Sequence, residues 1–163
     1  MVAGLLLPLT TVFADSADWT IAIGKDSSPY ETIASLQQDS LTTIKDEYAK
    51  QDLRPQLEFR CTAGEMAITA RIDWQRFISS FSTELGFKVD GGRFTWLKWK
   101  VDQSNKVTFS PSAADSQKLI ELALGGEKLL VEVTPYSASP VTVEYDLEGF
   151  SGALAELKDR CSQ

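Results

Sequence analysis

The chain has 163 residues, is 43% hydrophobic and 24% charged, and carries 23 Asp and Glu against 16 Lys and Arg, for a net charge of -7. That is one domain's worth of material with enough apolar content for a core, and its acidic balance offers no field for gathering nucleic acid or anionic lipid. With His at 0 and Cys at 2, Ser-His-Asp and Cys-His catalysis, His-ligated metals and four-cysteine zinc sites are excluded, and no metal or cofactor is expected.

Residues 2–14 form an uncharged apolar run ending in Val12-Phe13-Ala14, with small residues third and last before a cut, as signal peptidase requires. The run predicts a secretory signal over 1–14, although no Lys or Arg accompanies it; an N-terminal strand or buried helix is the alternative. No later stretch approaches the roughly 20 apolar residues of a transmembrane helix. The expectation is one mature domain over 15–163, periplasmic or secreted and not membrane-spanning.

Next, residues 19–23 alternate like a short strand and 24–29 read as a turn. Residues 30–53 stay ambiguous: 32–36 suit a strand, whereas 40–51 are polar and suit either a helical turn or a loop. From Pro55 the period is clear. Leu57, Phe59 and Cys61 alternate with Gln56, Glu58 and Arg60, then 62–64 turn the chain into Met66, Ile68, Ala70, Ile72 and Trp74, which predicts a hairpin with one buried face. Residues 75–85 lose the alternation and read as a connection. A second hairpin is expected from 86–89 and 94–99 around Asp90-Gly91-Gly92, whose glycines suit a tight turn, and a further turn and short strand complete 101–109.

Ser112 with Asp115 three residues on has the form of a capping box, and Leu119, Ile120 and Ala123 give the following helix one apolar face before Gly125-Gly126 ends it. Residues 129–133 and 141–145 alternate as strands. Gly149 introduces a last helix with the stripe Phe150, Ala153, Leu154, Leu157 and Cys161. About seven short strands and two helices make a mainly β, α+β domain: an antiparallel sandwich or a strongly bent sheet capped by helices. Its central strands are expected from 55–72 and 129–145, with 150–161 packed over an edge or face. Cys61 and Cys161 both face the interior in this reading. In an exported chain they are most simply one disulfide, with two buried free thiols as the alternative.

Catalysis without His falls to carboxylates, Lys or Tyr. Glu65 with Asp73, or Glu144 with Asp146, would be the pairs, but both sit on outward faces of predicted strands, where solvated charge is the default. Asp102-Gln103-Ser104-Asn105 lacks the glycine and distal Glu of a calcium loop and reads as a turn. Gly91-Gly92 and Gly125-Gly126 do not precede a helix as a phosphate cradle must. No catalytic residue is nominated.

Aromatic residues are concentrated instead. Trp74, Phe77, Phe81, Phe87, Phe94, Trp96 and Trp99 are seven of the sixteen Trp, Tyr and Phe of the chain. Buried, they build a core; exposed, they stack on sugars or anchor a protein partner. Trp96 and Trp99 fall on opposite faces of an ideal strand, and Trp99 is expected to be the exposed one. Glu65, Arg71, Asp73, Lys98 and Trp99 together form the candidate binding surface.

The order of landmarks carries a resemblance: Trp19, Arg54-Pro55-x-Leu57-x-Phe59-Arg60-Cys61, Ile72-Asp73-Trp74 and Trp99, then Phe109-Ser110-Pro111, Val131-x-Val133-Thr134-Pro135-Tyr136, Tyr145-Asp146-Leu147-x-Gly149-Phe150 and Cys161. Over nearly the whole mature chain this resembles the exported accessory proteins associated with type VI secretion called VasI or TagO. The resemblance implies a non-catalytic accessory or binding protein of the bacterial envelope, with a secretion component as partner. An inhibitor or immunity protein facing a secreted toxin is the nearest alternative, and a carboxylate-dependent hydrolase of cell-wall glycan a more distant one.

Overall fold

The computed structural model describes residues 19–25 and 30–163; the signal expected over 1–14 lies outside them. Among the described residues the strands are β1 (Thr20–Lys25), β2 (Thr32–Asp39), β3 (Ile44–Lys45), β4 (Asp52–Leu53), β5 (Gln56–Thr62), β6 (Thr69–Asp73), β7 (Ser82–Val89), β8 (Thr95–Val101), β9 (Val107–Phe109), β10 (Lys128–Val133) and β11 (Val141–Asp146). The helices are α1 (Ala113–Ala123) and α2 (Phe150–Cys161). Nine strands join one sheet in the order β1-β2-β5-β6-β9-β8-β7-β10-β11, and β3 with β4 forms a separate small hairpin. Every pairing is antiparallel. The bent sheet, rather than the sandwich, is the architecture adopted.

The sheet curls until its last strand reaches β2 again. Gln38, one residue beyond the part of β2 that β1 covers, donates from Nε2 to Asp146 O at 2.9 Å and accepts from Asp146 N at 2.8 Å. Leu41 N donates to Glu144 O at 2.8 Å, Glu144 N donates to Thr42 Oγ1 at 3.0 Å, and Trp19 Nε1 donates to Asp146 O at 3.1 Å. These bonds occupy backbone groups that an open edge would leave for another chain. The 129–145 hairpin therefore ends the strand order, not its centre as expected, while the 55–72 hairpin is central.

Residues 40–53, ambiguous in sequence, hold the β3–β4 hairpin. Arg54 Nη1 donates to Ser40 O and Leu41 O, each at 2.8 Å, and Arg76 Nη1 donates to Lys45 O at 2.9 Å. The connection expected over 75–85 is shorter, because β7 begins at Ser82 and its first residues pair with β8. Met66 lies in an exposed connection before β6 rather than in the strand.

Local chemistry explains the ends of the elements. The Asp90-Gly91 pair has φ of 50° and 73°, the two positive values of a type I′ hairpin turn. The Asp90 carboxylate then accepts from Glu127 N and Lys128 N, tying the turn to the start of β10. Ser112 caps α1 by accepting from Asp115 N at 3.2 Å while its hydroxyl donates to the Asp115 carboxylate at 2.6 Å. That hydroxyl, followed by Lys118, holds the Asp115 carboxyl below its ordinary value.

Helix α2 buries Phe150, Leu154, Leu157 and Cys161 against β2, β1 and β5. The Phe150 ring lies 5.3 Å from Phe59 and 5.0 Å from Trp19, within the range of favourable aromatic pairs. At the helix's far end Cys61 and Cys161 are disulfide-bonded across 100 residues, and Gly64 N donates to Cys161 O at 2.8 Å. Helix α1 closes another part of the core, its buried Ser116 hydroxyl donating to Ile68 O and Ala113 O.

Candidate functional site

The expected surface separates into pieces. Trp99 is 0% exposed and Trp96 50% exposed, so the parity argument holds and the choice of outward ring is reversed. Trp99 packs 5.2 Å from Phe87, and its buried Nε1 has no hydrogen-bond partner, whereas Trp74 Nε1 donates to Thr108 Oγ1 at 2.9 Å. Trp96 stands opposite Gly86 across β7–β8. A Cβ on Gly86 would lie 2.9 Å from atoms of both Phe94 and Trp96. The two rings therefore cover a glycine on the sheet's outer face, an arrangement that stabilises a bare strand position.

Asp73 ends β6, and Glu65 lies four residues before its start. The strand's four-residue rise alone is about 13 Å, beyond the roughly 5 to 9.5 Å of glycosidase carboxyl pairs. Glu65 is exposed in the turn after β5, not on a strand face. Lys98 is exposed on β8 opposite Glu84. Of the five residues, Arg71 lies in a recess.

That recess is built by strand alternation. Leu57, Phe59 and Cys61 point into the core, so Glu58 and Arg60 point outward. Register places Glu58 opposite Arg71, Arg60 opposite Thr69, and Phe109 opposite Arg71 on its other side. Directly paired residues share a face, so these side chains meet on the outer surface with Asp102 from the β8–β9 turn. Arg60, Thr69, Arg71, Asp102 and Phe109 line a shallow groove of about 290 Å³. Arg60 also borders a second recess of about 250 Å³, with Glu58, Ser35 and Gln37 on its walls.

The charges here are half-withdrawn from water. Arg60 Nε lies 2.8 Å from Glu58 Oε1, with side chains 24% and 17% exposed. Arg71 Nη2 lies 3.8 Å from Asp102 Oδ2, with side chains 24% and 31% exposed. Burial pushes the Glu58 carboxyl above its ordinary value; Arg60 opposes the shift and Asp73 adds to it. Two part-buried guanidiniums beside a hydroxyl and a ring form a surface suited to recognising an oxygen-rich group. Sequence reading nominated Arg71 but passed over Glu58, Arg60 and Phe109.

Among the described residues no group of three or more His, Cys, Asp and Glu gathers as a metal site, and no helix is long and apolar enough to cross a membrane. No family model, curated protein or solved structure matches the chain.

Proposed function

We propose that this chain is a non-catalytic, exported binding protein of the bacterial envelope, an accessory component of the kind associated with type VI secretion. The observation that carries the reading is the Cys61–Cys161 bond. Disulfides persist in oxidising compartments and are rare where thiols are kept reduced, which agrees with a secretory signal before residue 15. The binding role draws support from the recessed polar groove around Arg60 and Arg71, where two partly buried guanidiniums, a threonine and an aromatic ring share one surface recess. The landmark resemblance supplies the secretion context.

Capture of partners by the tagged mature protein from its native envelope tests the proposal. Recovery of a secretion-apparatus component supports it, and recovery of a toxin instead makes the chain an inhibitor. Turnover of purified peptidoglycan that is lost in Glu58→Gln or Asp73→Ala would make it a hydrolase and overturn the non-catalytic reading.

A further inference from the structure

Four arginines of this fold divide into two kinds. Arg54 and Arg76 spend donors on backbone carbonyls that hold the β3–β4 region in place. Arg60 and Arg71 are about three-quarters buried as side chains, yet neither guanidinium donates a hydrogen bond to any described residue. The Arg60 Nε–H approaches Glu58 as an ion pair but is misaligned for a hydrogen bond and is sealed from solvent. A guanidinium carries five N–H donors, and buried donors left unmet are costly. The sealed Arg60 Nε–H is one such donor, and with a second guanidinium in the same groove, the Thr69 side chain opposite Arg60 and the Phe109 ring beside Arg71, more N–H donors converge than the ion pairs with Glu58 and Asp102 engage.

We propose that the groove between Arg60 and Arg71 is a binding site for a carboxylate monoanion, held by the two guanidiniums and the Thr69 hydroxyl with its apolar end against Phe109. The geometry favours this class for two reasons. A guanidinium fork matches the two oxygens of a carboxylate. Glu58 and Asp102 each stand beside one of the two guanidiniums, so a second negative charge on the ligand, as on phosphate above its second pKa, meets more repulsion from these carboxylates than a single charge does. The assignment gives the ligand chemistry of the binding role proposed above and rests on that role only for its biological meaning.

The experiment is a titration of the whole mature, oxidised protein, followed through its arginine Nε–H NMR signals. Sodium acetate is compared with sodium chloride at equal ionic strength, and with inorganic phosphate at pH 8. Acetate should shift the Arg60 and Arg71 signals saturably, chloride should not, and phosphate should bind more weakly than acetate. Arg71→Lys keeps the charge and removes the fork; it should weaken acetate about tenfold or more. Glu58→Gln removes the carboxylate that competes for Arg60 and should tighten binding. Acetate shifts no different from chloride, stronger binding of phosphate, or unchanged affinity in Arg71→Lys of wild-type unfolding midpoint would each overturn the assignment. The wild-type titration decides even where a variant fails to fold. Since it uses no envelope partner, failure of partner capture and failure of this site are separately visible.

Discussion

Reduction of the Cys61–Cys161 bond removes a constraint on the unfolded chain while leaving the docked surface of α2 in place. The bond closes a loop of 100 residues, and in the chain-entropy model a loop of that size contributes about 4.7 kcal/mol at 25 °C. For a domain this size, a urea m-value of about 2 kcal/mol/M converts that loss into a midpoint lower by about 2 M. The packing of Phe150, Leu154 and Leu157 is not cut, so the reduced protein should still unfold cooperatively, with native-like circular dichroism at low urea. Equilibrium urea unfolding with and without reductant, repeated on Cys61→Ala with Cys161→Ala, measures the shift. Free thiols in unreduced protein would refute the bond itself. A midpoint shift below about 0.5 M would refute the argument that the bond acts through the unfolded chain, since the loop term alone predicts several times that.

The same unfolding assay checks the remaining expectations. Leu154→Ala, at a buried position between α2 and the sheet, should cost about 2–5 kcal/mol; wild-type unfolding would show that α2 is not docked. Trp99→Ala should cost about 3–5 kcal/mol, whereas Trp96→Ala should cost about 0.5–1.5 kcal/mol for its pairing with Phe94; the reverse order would return Trp99 to the surface. Glu58 has a raised carboxyl pKa in the fold, so its contribution is fully present below the unfolded value of about 4.3 and is lost as pH rises through the folded value. Glu58→Gln should therefore stabilise the protein at pH 7 relative to wild type and lose that advantage below pH 4; a destabilised variant at pH 7 would mean that the Arg60 ion pair outweighs burial.

What the sequence made legible was local. The β5 alternation reappears as a strictly alternating burial pattern, the Ser112 capping box and the stripe of α2 formed as expected, and the cysteines met. The Trp96 and Trp99 assignment was also available: Leu97, Trp99 and Val101 form an apolar set, while Trp96 shares its face with Lys98 and Lys100. Reading that parity through the lysines places Trp99 inside. The groove was less accessible. Glu58 and Arg60 look like ordinary outward charges on an alternating strand, and only the β5–β6–β9 register brings them beside Arg71, Phe109 and the β8–β9 turn. The role of Gly86 likewise appears only when its cross-strand neighbour is known. The curl that joins Gln38 to Asp146 is a contact across 108 residues, outside the range of any local pattern.

The groove's location also shapes how it must bind. With a net charge of -7, the molecule as a whole repels anions at distances where its field is felt, so long-range steering does not assist a carboxylate. Attraction begins only within the short span of the guanidinium donors, less than the Debye length of about 8 Å at physiological salt. Affinity then comes from hydrogen-bond geometry in a partly desolvated recess rather than from charge density. Added inert salt screens the unfavourable global field while leaving the buried contacts less affected, so it should weaken acetate binding far less than at a basic surface. An aromatic platform would show no preference for a carboxylate, and a solvated lysine patch would lose its ligand as salt is raised. A carboxylate held with little salt dependence is the behaviour that distinguishes two recessed arginines from either.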